Sequence, residues 1–118
     1  MEAESTISLE RAHQLADQRA LVERARRGDA AAHRALYDAH VDRIYRLVFR
    51  MIGVEHTAMD VTQDTFVRAF AGISGFREDS AFSTWLHSIA VSLSLNEIKR
   101  RKRDWARSAP LDDAMALP

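Results

Sequence analysis

Apolar residues recur every three or four positions along most of the chain, with polar residues between them. Tyr37, Val41, Ile44, Tyr45, Val48, Met51 and Ile52 form one such stripe, which predicts an amphipathic helix from about Asp29 to Ile52. Asp29 can cap its start by accepting from the free N–H groups of the first turn, and Gly53 is a natural stop. Upstream, residues 20–27 (ALVERARR) predict a short helix ending at Gly28. Residues 1–19 are weakly patterned and carry net charge −2; they read as an N-terminal extension, a frayed tail or a short helix. A third helix is predicted over about His56–Ala71, with Val61, Phe66, Val67, Phe70 and the following Ile73 on its apolar side. Its other face shows Asp60, Gln63, Asp64 and Arg68. Gly72 and Gly75 open a loop, GISGFREDS. Ser80 or Ser83 then offers a cap for a fourth helix carrying Phe82, Trp85, Leu86, Ile89, Ala90, Leu93 and Ile98. The end of the chain, SAPLDDAMALP, holds both prolines and reads as a linker. No segment alternates as a strand would, and nothing repeats. The expected fold is all-α, a compact bundle of three main helices plus a short N-terminal one.

Composition narrows the class of protein. At 118 residues, 47% apolar and 29% charged, the chain fits one globular domain with tails rather than a disordered segment. There is no cysteine, so no disulfide framework or thiolate zinc site is available, and a reducing, cytoplasmic setting is expected. No run of about 18 apolar residues offers a membrane span, and the acidic, polar N-terminus lacks the features of a secretory signal. Net charge is zero, but it is unevenly spread. Residues 98–107 hold six basic residues and one acid, leaving 11 basic against 16 acidic residues elsewhere, a body of net charge −5. A basic end on an acidic body points to a polyanion at one end and another partner elsewhere, or to a solvated helix terminus.

Candidate chemistry is that of binding. Asp60, Gln63 and Asp64 stand at i, i+3 and i+4 and so share a helix face. Two carboxylates and an amide there suit an Arg-rich partner helix; the plain alternative is a solvated surface. His56 one turn before Asp60 is too sparse a set for a metal, and neither a metal nor a cofactor is expected. The run Lys99, Arg100, Arg101, Lys102 and Arg103 supplies phosphate contacts in any reading that includes DNA. In the loop, Phe76, Arg77 and Ser80 suit contact with unstacked bases, with inward packing the alternative for Phe76. Trp85 lies in the apolar register of the fourth helix, so a core anchor competes with an exposed stacking edge. His13, His33, His40 and His87 read as surface or half-buried side chains. No phosphate-binding glycine loop, zinc-protease helix or nucleophile elbow is present, and no catalysis is expected.

Three segments in order carry a resemblance: Ala58-Met59-Asp60-Val61-Thr62-Gln63-Asp64-Thr65-Phe66, then Phe76-Arg77, then Phe82-Ser83-Thr84-Trp85-Leu86 leading to Ile89-Ala90. Together they resemble the first conserved domain, region 2, of bacterial sigma factors of the extracytoplasmic-function (ECF) family. The resemblance covers about residues 20–103, and leaves 1–19 as an extension and 104–118 as the start of an inter-domain linker. It implies a transcription initiation factor that binds RNA polymerase core through the clamp helices of the largest subunit. It also implies capture of the opened minus-ten element as single-stranded promoter DNA, with melting of that DNA, and an anti-sigma factor as a further partner. Asp60, Gln63, Asp64 and Arg68 would then face polymerase. Phe76, Arg77, Ser80, Trp85, Ser92 and the run Lys99–Arg103 would face DNA. The family's second, helix-turn-helix domain has no counterpart here, and a fragment is expected.

The chain also departs from the family. Basic residues that the family carries near Ser83, Ser88 and Val91, and an Asn at Ser92, are missing. This weakens the expected DNA face and keeps an alternative open: a sigma-like regulatory module that binds polymerase or an anti-sigma factor without opening promoters. A small metal-dependent helical enzyme on His56, Asp60 and Asp64 is a third, minor possibility.

Overall fold

The computed structural model describes residues 2–108, with side chains from residue 6 onward. Four helices follow one another: α1 (Glu2–Arg26), α2 (Ala30–Ile52), α3 (Glu55–Ala71) and α4 (Phe82–Ser108). A short 3-10 turn, Ile73–Gly75, interrupts the α3–α4 connection, and no strand occurs among the described residues.

The ends of α2 follow the local chemistry. Asp29 Oδ1 accepts from the backbone N–H groups of Ala31 (3.0 Å) and Ala32 (3.4 Å), pairing donors that the first turn leaves free. Arg24 Nε donates to Asp29 Oδ2 at 2.8 Å, and this bond holds the Asp29 carboxyl below the usual aspartate range. Gly53 closes α2 at φ +77°, where its N–H donates to the Phe49 carbonyl at 2.7 Å. Only glycine takes that conformation without steric cost.

The core is a set of i, i+4 ladders. Leu36, His40, Ile44 and Val48 line the buried side of α2, and Phe82, Leu86, Ala90 and Ser94 that of α4. Between them α3 buries Ala58, Val61, Thr62, Thr65, Phe66 and Ala69. Thr62 Oγ1 donates to the Ala58 carbonyl (2.7 Å) and Thr65 Oγ1 to the Val61 carbonyl (2.8 Å), so both buried hydroxyls are satisfied within the helix. Those threonines occupy core positions that apolarity alone assigned elsewhere. Val67, expected on the core side, is 65% exposed.

Three further expectations need correction. Residues 2–19 are helical and continuous with 20–26, so the N-terminal helix is not short. Residues 6–17 are exposed, which is why no apolar stripe marks them; Ala, Glu, Leu, Gln and Arg supply helix propensity instead. Packing begins near Gln18, whose amide donates to His40 Nε2 at 3.1 Å, and continues through buried Val22 and Ala25. Neither Ser80 nor Ser83 caps α4: the Ala81 carbonyl accepts from the N–H groups of Thr84 (3.0 Å) and Trp85 (3.1 Å). Helix α4 also runs through residues 104–108, so the segment expected as the start of a linker begins as helix. The rest of that linker, 109–118, lies outside the described residues.

Candidate functional site

Helix α3 packs on α2 along one flank and on α4 along the other, and each seam opens into a groove. The α2–α3 groove is lined by Tyr37, Val41, Asp42 and Tyr45 from α2 and by Glu55, Met59, Asp60 and Gln63 from α3. Its apolar floor is anchored: Gln63 Nε2 donates to the Tyr37 hydroxyl at 2.9 Å, and Tyr37 meets Phe66 edge-on at 4.8 Å. Met59 is exposed, and so is Phe49 beside Tyr45. Asp42, Glu55 and Asp60 supply acidic side chains around that floor. Asp64 is exposed one turn beyond Asp60. His56 Nε2 lies 3.7 Å from Asp60 Oδ2, both exposed. Among the described residues no group of three or more His, Cys, Asp or Glu side chains could hold a metal ion.

Arg68 does not share that groove. Its position, two turns beyond Asp60, turns it to the α3–α4 side, where it lines a shallow groove with Trp85, Ser88, Ile89, Ser92 and Leu93. An arginine, an indole and two hydroxyls therefore meet there, separated by α3 from the carboxylates. Trp85 is half-buried; one side of its ring stacks on Phe76 at 4.8 Å and 26°. Phe76 is 5% exposed and also packs edge-on against Phe82, so its ring belongs to the core and offers no free face. Arg77 and Ser80 are exposed on the loop, and Gly75–Ser80 with Trp85 enclose a small cleft.

Helical spacing extends the Trp85 side of α4. Trp85, Ser88, Ser92, Asn96, Lys99 and Arg103 follow one stripe along the helix. Asn96, which sequence reasoning passed over, stands one turn beyond Ser92 and is exposed. Other residues of the basic run are not equivalent. Arg100 grips Glu97 with two donors, Nη2 to Oε1 at 2.8 Å and Nε to Oε2 at 3.1 Å. Arg101 Nε reaches the same carboxylate at 3.4 Å, while its Nη2 donates to the Thr57 hydroxyl on α3. The bond to Arg100, reinforced by Arg101, holds the Glu97 carboxyl below its ordinary range. Lys99, Lys102 and Arg103 are exposed. Trp105, also exposed, continues the helix beyond them.

His40 is the one expected surface or half-buried histidine that is buried. Its Nδ1–H donates to the Leu36 carbonyl at 2.8 Å, so Nε2 is the acceptor for Gln18. Its place in the Leu36–His40–Ile44 ladder was the signal. His33 stacks on Phe70 at 4.6 Å, and its Nε2 donates to the Ala25 carbonyl at 2.9 Å. No described helix is long and apolar enough to cross a membrane.

Comparison with known proteins gives the family. Residues 36–104 match the sigma-70 region 2 family. The chain is 37% identical over 84 residues to the ECF RNA polymerase sigma factor SigW of Bacillus subtilis, covering 71% of this chain and 45% of SigW. It is 39% identical over 88 residues to the ECF sigma factor SigE of Mycolicibacterium smegmatis, covering 72% of this chain and 34% of SigE. It thus spans a third to a half of these relatives. Among solved structures, an engineered region 2 of sigmaE in complex with GTAAAA superposes with a TM-score of 0.69 at 34% identity, covering 77% of this chain and 94% of that one. The RsbN–BldN complex matches with a TM-score of 0.62 at 32% identity, covering 82% and 77%. The chain belongs to the sigma-70 region 2 family, and these relatives are sigma factors of the extracytoplasmic-function type.

Proposed function

We propose that this chain is the core-binding and minus-ten-binding part of a cytoplasmic sigma factor without catalytic activity. One observation carries the reading: α3 separates an acid-rimmed apolar groove on its α2 side from a groove of arginine, tryptophan and serines on its α4 side. The first suits the clamp helices of the largest polymerase subunit, with Asp60, Gln63 and Asp64 meeting basic side chains and Met59 and Tyr45 meeting apolar ones. The second suits single-stranded promoter DNA, whose bases stack on aromatics and whose phosphates meet cations. There Trp85 offers its outer face, Ser88, Ser92 and Asn96 offer hydrogen bonds, and Arg68, Lys99 and Arg103 offer charge. Arg77 and Ser80 are within the loop that would receive a flipped base. Phe76 acts in this scheme from below, as support for Trp85. The sigmaE complex with GTAAAA supports the DNA assignment, and the RsbN–BldN complex supports a protein partner of the anti-sigma kind.

A second reading is kept by two features of α4. Serines stand at 83, 88 and 92, and Glu97 occupies two of the five cations in the basic run. Both weaken the DNA face and favour a regulatory module that binds polymerase without opening promoters. The test is a pull-down with core polymerase followed by permanganate footprinting of unpaired thymines on supercoiled promoter DNA. Retention on core together with footprints is the outcome expected of an initiation factor. Retention without footprints selects the regulatory reading, and failure to bind core refutes the initiation-factor reading and leaves only a module that binds an anti-sigma factor.

A further inference from the structure

Arg26, the last residue of α1, reaches the loop between α3 and α4. Its Nη2 donates to the Phe76 carbonyl, fifty positions along the chain. The same nitrogen lies 4.0 Å from Glu78 Oε1, and the guanidinium carbon sits 5.9 Å from the centroid of the Phe76 ring. Glu23, one turn back on α1, flanks Nη1 at 3.4 Å. Arg26 Nε is buried without a hydrogen-bond partner among the described residues, so this side chain is held in place despite an unpaired donor. Glu78 is the only described non-glycine residue with positive φ, at +61°. Residues with a Cβ seldom adopt that conformation, and they persist in it where surrounding contacts impose it. A guanidinium engaging a carbonyl, a carboxylate and a ring face uses its planar fork as well as its charge. Phe76 in turn stacks on Trp85, so the chain of contact runs from α1 through the loop to the α4 groove.

We infer that Arg26 is a positioning residue: it straps the loop 72–80 to α1 and so sets the opening between that loop and Trp85. This rests on the base-receiving role proposed above for the loop. Nothing in the docking groove depends on the strap, because Arg26 touches neither α2–α3 rim nor floor.

The test uses the 118-residue chain with Arg26→Gln, Arg26→Lys and Glu78→Gln. Hydrogen exchange is first followed at the amides of Gly75 and Phe76, which donate to the Gly72 and Ile73 carbonyls. In Arg26→Gln these amides should exchange roughly tenfold faster, as expected on losing one charge-assisted hydrogen bond, with α2 and α3 unchanged. Lysine should recover part of the protection, since it keeps the charge and can meet the carbonyl or the carboxylate but not both. Glu78→Gln should loosen the loop less, because the bond to Phe76 remains. Unchanged loop exchange in Arg26→Gln overturns the strap, as does acceleration spread evenly over all four helices. Each variant is then bound to single-stranded DNA hexamers of randomised sequence and to oligo-dT. Preference at one or two positions should flatten in Arg26→Gln, while oligo-dT affinity and its salt dependence hold. If the wild-type chain selects no sequence although the variant's loop loosens, the base-receiving role fails and the strap stands. If wild type and Arg26→Gln select equally sharply, the strap does not set the opening and the inference is wrong.

Discussion

On the proposed reading, Glu97 is the position at which one charge decides how much of α4 is available to DNA. The Arg100 guanidinium is committed to its carboxylate through two bonds, and Arg101 is shared between Glu97 and Thr57. Of the cations near the proposed DNA face, Arg68, Lys99, Lys102 and Arg103, with Arg77 from the loop, are exposed and hold no carboxylate among the described residues. At about −0.7 per phosphate contact on a single strand, three or four contacts give a slope of log K against log salt of roughly −2 to −3. Glu97→Gln releases Arg100, which lies beside the Trp85 stripe, whereas Arg101 stays turned toward Thr57. The slope should therefore steepen by about 0.7, one contact, with tighter binding at low salt. Arg100→Ala alone should leave the wild-type slope nearly unchanged, and adding it to Glu97→Gln should restore that slope. The assay is fluorescence anisotropy of labelled oligo-dT at four or five salt concentrations. A wild-type slope that drops on Arg100→Ala would falsify the assignment, because it would mean that Arg100 already meets phosphate. The same substitution has a stability signature with a definite sign. The folded-state pKa of Glu97 is lowered, so its contribution is present above the unfolded value and lost as pH falls through the folded one. Melting curves of wild type and Glu97→Gln should differ near neutral pH and converge on the acid side of the ordinary glutamate range.

Trp85→Ala should cost about 2–3 kcal/mol, from half of a large side chain's burial plus its stacking on Phe76, whereas Phe76→Ala should cost about 3–5 kcal/mol. Urea unfolding followed by circular dichroism measures both, and a Trp85 loss equal to that of Phe76 would show an indole with no free face. Ser94→Ala should raise stability by about 1 kcal/mol, since Ser94 Oγ is buried without a partner among the described residues and alanine suits a helix better. An unchanged or lower urea midpoint would reveal a partner for that hydroxyl. Asp60→Arg should lower affinity for core polymerase by about tenfold, mainly through association rate at low salt, and leave oligo-dT binding intact. Arg68→Ala should do the reverse; if it weakens core binding instead, Arg68 belongs with the carboxylates after all.

Helix limits were legible where a single residue enforces them. Asp29 and Gly53 mark the two ends of α2 because a carboxylate cap and a left-handed turn each demand a particular residue type. The buried faces were less legible, because successive helical residues turn by about 100° and a stripe can be centred one position off. On α2 the apolar count favoured Tyr37, Val41 and Tyr45, yet these flank the buried ladder and make the groove instead. On α3 the core took Thr62 and Thr65 over Val67, since back-bonded hydroxyls remove the usual objection to burying them. The motif residues Asp60, Gln63 and Trp85 stand in grooves. Arg68 was grouped with Asp60 and Gln63 but lines the other groove, because spacing along one helix does not say which partner helix lies on which side. Glu97 did carry a sequence signal, since it stands three and four positions before Arg100 and Arg101 on a predicted helix, but the basic run was read without it.

The uneven division of charge bears on how such a chain is used. Three or four phosphate contacts, an indole face and a few hydroxyls make a weak, salt-sensitive site for a single strand. On the proposed reading that weakness is matched to the other groove. A chain held on polymerase meets promoter DNA at an effective concentration fixed by the complex, so modest contacts suffice once docking has occurred, while the free chain does not coat DNA nonspecifically. Glu97 then acts in the same direction as the acidic body, by lowering affinity for bare polyanion. The consequence is measurable. Core polymerase should raise the affinity of the wild-type chain for oligo-dT well above that of the chain alone, while Glu97→Gln, which adds one contact, should gain by a similar factor in both settings. Anisotropy with and without core polymerase measures the two effects. An affinity no higher with core polymerase would show that docking contributes no local concentration, and the coupling argued here between the two grooves would be lost.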